Sequence, residues 1–448
     1  MGNPWSTSES SLLLAIQDDL TTPNTTSGDF VALKCETPKI SFDTRVDELA
    51  LLTGQPGAAP ERVVGGRSGK ITFSVPMEGL ASTYAPVTEQ PGVTTGVVSP
   101  WFCLAANMLG SDVSNLAGAT LSDRNANFWL GSFAHKNSGY AADDVASATS
   151  TVVTVDAASG TNYHEGEFLV SGEGTSETSP QMGFIKSIAA DALTLFEASA
   201  NTKNSNTAET FATLTAYASS DQPRPLTARY VGSSSAAYGY ILTGLVGESF
   251  KISLDSAEVP IIEFVFRFAD FEADSTIGGL VVPDDYNRVS PIVGTSNGRA
   301  TLAGSLACGL EGVSLEFSAT LAERKCHSAT QGIYSIDVVS RRISVTATIP
   351  HDSTDAIYDP VGAGATQGSH KWQSYLQRSV AQSFGIYTGA GIGRIFSALV
   401  PAGKLTAVPQ LTEAGGLLAY QVSMEASSYS GDGSSTAPGN TVARLALA

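Results

Sequence analysis

The pair of side chains best equipped for chemistry is Cys326-His327, a thiol beside an imidazole. A thiol nucleophile needs a base that faces it and a third group that orients the base. Neighbours on an extended chain point to opposite sides, and no orienting partner is evident, so the dipeptide reads as structural. The histidines His135, His164, His327, His351 and His370 are scattered, without the HxH, HExxH or paired-cysteine context of a zinc site. Gly389-Ala390-Gly391-Ile392-Gly393 has the look of a nucleotide loop. That loop needs a buried parallel strand before it and a helix after it, whereas strand-like IFSALV follows, so a glycine turn is expected. Gly65–Thr72 (GGRSGKIT) fails as a phosphate loop because Ile71 stands after Lys70 where Ser or Thr is required. Asp123-Arg124-Asn125-Ala126-Asn127 begins like a calcium loop. Phe128 then occupies the glycine position and Ala134 that of the bidentate glutamate. Paired carboxylates for glycoside hydrolysis need no closeness in sequence, but acidic clusters are few. The expectation is a protein that is not an enzyme, with no cofactor and no metal.

The composition narrows the remaining classes. A chain of 448 residues implies two or three domains. Gly 44 and Pro 20, among abundant Ser, Thr, Ala and Val, fit strands joined by many turns. Charged residues make up only 15%, with 25 Lys+Arg against 43 Asp+Glu and a net charge of −18. Much of the polar surface must then be uncharged, which suits extensive protein–protein contact. The acidic excess argues against attraction to nucleic acid, because neutralising phosphate takes Lys and Arg. A surface that repels DNA remains open. Cys35, Cys103, Cys308 and Cys326 are far apart and read as buried thiols, with no need of an oxidising compartment. No basic segment opens the chain and no run nears the ~20 apolar residues of a spanning helix, so no membrane anchor is expected and assembly is placed in cytoplasm.

Alternation supplies the elements. Tyr238–Leu254, a turn at Asp255–Pro260, and Ile261–Phe271 form a long two-faced hairpin. Phe250, Ile252, Leu254, Ile262, Phe264, Phe266 and Phe268 line one face, with Ser249, Lys251, Ser253, Glu263 and Arg267 opposite. In chain order before it, Ser11–Leu20 reads as a weak amphipathic turn or short helix, and Val31–Cys35 and Lys39–Val46 as strands. Asp47–Ser68 is a long polar excursion without periodicity, of the kind that forms interfaces. Gly69–Glu78 is a strand. Pro100 opens a helix capped by Ser99 and stopped at Gly110. Asn127–His135 is a strand. Residues 140–222 change texture, with short strands at Thr151–Asp156, Glu167–Ser171, Gly183–Ile188, Leu193–Phe196 and Phe211–Tyr217 between Ser/Gly/Thr/Asn loops. This is the signature of a small all-β insert. Thr227–Gly232 follows, and Ala273–Arg288 reads as a linker. Gly312–Leu321, Arg341–Pro350, a helix at Lys371–Gln382, then Ile395–Val400, Leu405–Gln410 and Leu417–Ala426 repeat the order strand, excursion, strand, helix, ribbon.

With these pieces placed, the chain resembles the tail tube proteins of long non-contractile-tailed bacteriophages. LLLAIQDDL…FVALKCETPKISF looks like the family's opening, VVGGRSGKITFSVPMEG like its second long strand, and SPWFCLAANMLG like its proline-initiated helix. YGYILTGLVGESFKISLDSAEVPIIEFVFRFADFE resembles the tube ribbon, and ATQGIYSIDVVSRRISVTATIP the strand pair of a second copy. The resemblance covers most of residues 11–430 outside the insert, and it rests on the ordered set of stretches.

The resemblance implies a mainly β fold of two tail-tube-type β-sandwich domains, 1–285 and 286–448, each with a flanking helix. The small all-β insert at about 140–222 decorates the outside. It implies self-assembly into stacked rings, three chains as a pseudo-hexamer or six, around a negatively charged lumen. DNA leaves through that lumen without specific binding. The implied partners are a tape-measure protein and tail-end proteins, and the implied location is the virion tail after assembly in the host cytoplasm. By the same resemblance the excursion carrying Leu51, Leu52, Arg62, Val63, Val64 and Arg67 reaches the adjacent ring. The polar ribbon face of Ser249, Lys251, Ser253, Glu263 and Arg267 meets the lumen or a neighbour. A β-rich carbohydrate-binding adhesin of the virion or cell surface is the alternative.

Overall fold

The computed structural model describes residues 10–17, 19–25, 30–33, 35–49, 61–79, 100–109, 143–160, 163, 165–172, 181–197, 199, 202, 207–217, 223–232, 239–255, 259–273, 299–302, 305–307, 312–325, 333–350, 381–388, 395–407, 410–414, 416–429 and 441–447. Outside them lie Asn127–His135, residues 371–380, 274–288, 123–127 and 389–393, Cys326 and all five histidines.

The fold is mainly β with antiparallel pairing throughout. The first half holds β1 (Ser10–Ile16), β2 (Val31–Leu33), β3 (Lys39–Leu49) and β4 (Glu61–Pro76), then the helix α1 (Pro100–Leu109). The insert follows as β5 (Asp143–Ala148), β6 (Val152–Val155), β7 (Phe168–Gly172), β8 (Gln181–Ala189), β9 (Ala192–Leu195) and β10 (Thr207–Tyr217). After it come β11 (Leu226–Gly232), β12 (Gly239–Asp255), β13 (Ile261–Phe268) and β14 (Asp270–Ala273). The second half holds β15 (Arg299–Leu302), β16 (Ser305–Ala307), β17 (Gly312–Lys325), β18 (Ile333–Pro350), β19 (Gln382–Thr388) and β20 (Phe396–Leu405). It closes with β21 (Gln410–Ala414), β22 (Leu417–Ala426) and β23 (Thr441–Leu447).

Three expectations change. Ser11–Leu20 is no helix, because β1 takes Ser10–Ile16. Leu12 and Leu14 join one core and Leu13 and Ala15 another, so both faces are buried between β2 and β11. A short apolar run buried on both sides carries no alternation to read. The excursion at Asp47–Ser68 is largely strand as well, since β3 runs to Leu49 and β4 starts at Glu61. A register shift between Thr44 and Val46 breaks the period of two and hides the pairing from a sequence scan. Gln382, assigned to the end of a second helix, opens β19.

The pairings of the first half recur in the second. In the first half β2 pairs with β1, β1 with β11, β11 with β12, and β12 with both β13 and β14. β13 pairs with β4, and β4 with β3. In the second, β16 pairs with β15, β15 with β19, β19 with β20, and β20 with both β22 and β23. β22 pairs with β18, and β18 with β17. Each strand of one set therefore has a counterpart in the other, with the insert added to the first set and β21 to the second. The sets join where β12 pairs with β17, from Ser249↔Ser318 to Asp255↔Gly312.

The core runs across that junction. Phe73, Phe264, Phe250, Phe317 and Ile343 are consecutive register partners on β4, β13, β12, β17 and β18, and all are buried. Phe250 and Phe317 stack with centroids 4.3 Å apart. Over this ladder lies α1, whose Trp101, Leu104, Ala105, Met108 and Leu109 are buried at the helical spacing expected, and Trp101 Nε1 donates to the Glu78 carbonyl at 2.9 Å.

Strand β12 leaves one set of partners for another along its length, from β11 and β14 to β13 and β17. Gly244 supplies a left-handed φ of 69° at the changeover. Gly247, beside a bulge, lets α1 approach: a Cβ there would collide with the Met108 side chain. Gly247→Val is expected to lower stability by about 1–3 kcal/mol through overpacking, read as a lower urea midpoint at unchanged slope.

The insert has its own core of Val145, Val153, Val155, Leu169, Ile185, Leu193 and Leu195. It is also fastened to the second half. Phe168 and Phe184 face the other way onto Tyr387 of β19, and β10 pairs with the chain's last strand from Ala212↔Leu447 to Tyr217↔Thr441. The insert thereby covers the outer edge of β23, an edge that would otherwise be open to aggregation.

Cys35 is partly buried, and burial, with a smaller push from Glu36, raises its thiol from 9.0 to about 12. The neutral thiol is favoured by folding, so this stabilisation is complete below pH 9.0 and is lost as the pH rises toward about 12. Alkylation of Cys35 at pH 8, followed by peptide mass spectrometry, is expected to be at least about tenfold slower in the folded chain than in urea.

Candidate assembly surface

The strands β3-β4-β13-β12-β17-β18-β22 form one continuous sheet. One face carries the phenylalanine ladder, and alternation sends the intervening residues to the other. Ser74, Glu263, Lys251, Glu316, Ser344 and Glu425 are register partners in one row, which ends at Lys404 of β20. The adjacent row runs Thr72, Val265, Ser249, Ser318, Arg342. On its other side lie Ile261, Ser253, Ser314, Thr346 and Ser423. The ribbon residues Ser249, Lys251, Ser253, Glu263 and Arg267 are brought together on this face, with Lys251 and Glu263 exposed and the others half-buried.

Three cations of this face are held by carboxylates. Lys70 Nζ lies 2.8 Å from Glu248, which is also 3.8 Å from Arg267. Arg267 pairs with Glu323 at 3.1 Å, and Arg342 with Glu425 at 3.0 Å. Lys251 sits in register between Glu263 and Glu316. Both signs are thus interleaved, and the chain's acidic excess is not gathered here. The described face is a mixed lattice of Ser, Thr and paired charges. Lys70 and Arg267 are themselves register partners, a like-charge pair that would destabilise the sheet, and Glu248 lies against both to offset it, while Lys251 stands between two carboxylates.

Of the residues assigned to the excursion, Leu51 and Leu52 lie outside the described residues. Arg62, Val63 and Val64 are on β4, in register with Glu48, Asp47 and Val46. Arg67 is engaged within its own half, 3.1 Å from Asp270 and 3.8 Å from Glu272, over the Phe271 ring. The sequence reading missed Lys70, Glu248, Glu316, Glu323, Arg342 and Glu425 as members of the polar face. The same alternation marks Glu316 and Arg342, but only the pairing across the halves places them beside the ribbon.

The sheet ends in two edges. Among the described residues β3 pairs only with β4, and beyond Gly403 the line of β20 and then β21 pairs only with β22. These strands are the counterparts of β17 and β12, the two that join inside the chain. No described helix is long and apolar enough to cross a membrane. No family model and no curated protein matches the chain.

Proposed function

We propose that the chain is a structural subunit that associates edge to edge with copies of itself into a ring, and that stacked rings form the tube of a long non-contractile phage tail. The observation that carries the reading is the junction of β12 with β17. It joins two sets of strands with the same pairing order, and among the described residues their counterparts at the ends of the sheet are paired on one side only. Joining β20 and β21 of one copy to β3 of the next repeats that junction between chains and removes both edges. Two sets per chain then make a six-set ring from three chains. Each set is a β-sandwich-type unit, with α1 as the flanking helix of the first.

In this reading the polar face turns to the lumen, and DNA passes along a wall whose cations are already held by carboxylates. The work is binding and containment, without catalysis, cofactor or metal. A tape-measure protein and tail-end proteins are the expected partners, and the virion tail, after assembly in host cytoplasm, is the expected location. Electron microscopy of concentrated protein is expected to give rings or tubes with a central channel and three chains per ring. Compact monomers under every assembly condition would overturn the proposal.

A further inference from the structure

The hairpin of β17 and β18 outruns the sheet. Beyond Ser318↔Arg342, where the pairing of β17 with β12 ends, the two strands stay paired to Lys325↔Ile333 with no third strand beside them among the described residues. This overhang lies on the first half. Ala319, Leu321, Ile333, Ile336 and Val338 pack with Val246, Ala269 and Leu20, and Arg267 closes the contact on Glu323 at 3.1 Å. One set of strands therefore grips the preceding set at the corner where β12, β13 and β14 meet.

The β3–β4 hairpin has the same place in the first set. Beyond Phe42↔Gly69, the last position that β4 shares with β13, it runs on to Leu49↔Glu61, again without a third strand among the described residues. It stands at the open end of the sheet, where no preceding set of strands lies among the described residues. Val46 and Val64 are register partners on it, amid Arg45, Asp47, Glu48, Glu61 and Arg62, so it has the apolar and two-signed composition of the overhang that does grip.

We infer that the β3–β4 overhang is a lateral clasp that seats on a second copy of this chain, at the corner of β20, β22 and β23 that corresponds to β12, β13 and β14. The inference rests on the ring reading. It turns sideways, within a ring, a segment whose resemblance implied a contact between rings. The occupant is argued from the seated β17–β18 hairpin, which is the same element gripping the same corner one set along.

Two measurements test it on the full-length chain. A photocrosslinking amino acid at Glu48, in assemblies mixed from two isotope-labelled pools, is expected to join Glu48 to residues 396–426 or 441–447 of a different chain. V46D/V64D is expected to keep the wild-type urea midpoint as a monomer and to need at least tenfold more protein to form rings. Crosslinks confined to one chain, crosslinks to a stacked ring, or wild-type ring formation by the double variant overturns the clasp while leaving the ring intact. Should V46D/V64D fail to fold, the crosslink map decides alone. A wild-type chain that never assembles removes the ring reading itself, and the clasp with it.

Discussion

Phe264→Ala is expected to cost about 3–5 kcal/mol of stability, the largest loss from any single truncation in the sheet, measured by urea unfolding. Phe264 is fully buried on β13, the middle of three strands, between Phe73 of β4 and Phe250 of β12 at centroid distances of 5.6 and 5.7 Å. Truncation leaves a cavity bounded by other rings and by strands hydrogen-bonded on both sides, which cannot collapse to fill it. The ladder also couples the halves. Phe250 and Phe317 are the two rings that meet across the junction, and a double-mutant cycle between F250A and F317A is expected to give an interaction energy of about 0.5–1.5 kcal/mol. An interaction energy indistinguishable from zero would mean that the two sets of strands are held by backbone pairing alone.

Much of this sheet was legible in the sequence, for a definite reason. β13, the later parts of β4 and β12 and the early part of β17 each bury one face, so hydrophobic residues recur at every second position and the intervening Ser, Thr, Lys and Glu mark the opposite side. The helix from Pro100 was legible because proline at the first position and an apolar stripe at spacings of three and four coincide. β1 was not, because burial on both faces erases alternation, and the β3–β4 overhang was not, because a bulge resets it.

The candidate surface divides in the same way. Ser249, Lys251, Ser253, Glu263 and Arg267 could be placed on one face from local pattern. Their partners Lys70, Glu248 and Glu323 could not all be assigned, since contacts of Arg267 with a strand 56 residues away leave no trace in its neighbours. Net charge was the least informative guide. It is a sum over the chain, whereas the face depends on which carboxylate lies opposite which cation. The pairing of β10 with β23 was equally invisible, because strand TVARLAL owes its partner to an insert far upstream.

With the polar face turned to the lumen as proposed, neutralising the carboxylates that hold those cations is expected to make the wall retain DNA. In E248Q/E323Q/E425Q the counter-charges of Lys70, Arg267 and Arg342 are removed while side-chain shape and the sheet's hydrogen bonding are preserved. Partly exposed ion pairs of this kind contribute about 0–1 kcal/mol each, so the fold is expected to survive the triple change. The effect on phosphate is larger, because each released cation becomes available for a backbone contact, and affinity then falls steeply with salt at a log–log slope of roughly −0.9 per contact. Assembled variant tubes are expected to hold double-stranded DNA at 50 mM salt at least tenfold more tightly than wild-type tubes, the difference shrinking by 200 mM. Gln differs from Glu here chiefly in charge, so equal retention by both would place the polar face away from the channel. That outcome would leave the ring to be closed with this surface on its outside or against a neighbour. Retention confined to the variant, with the expected salt slope, ties the interleaved charges to the passage of DNA: they keep Lys and Arg, which the sheet uses to bind its own strands, out of reach of phosphate.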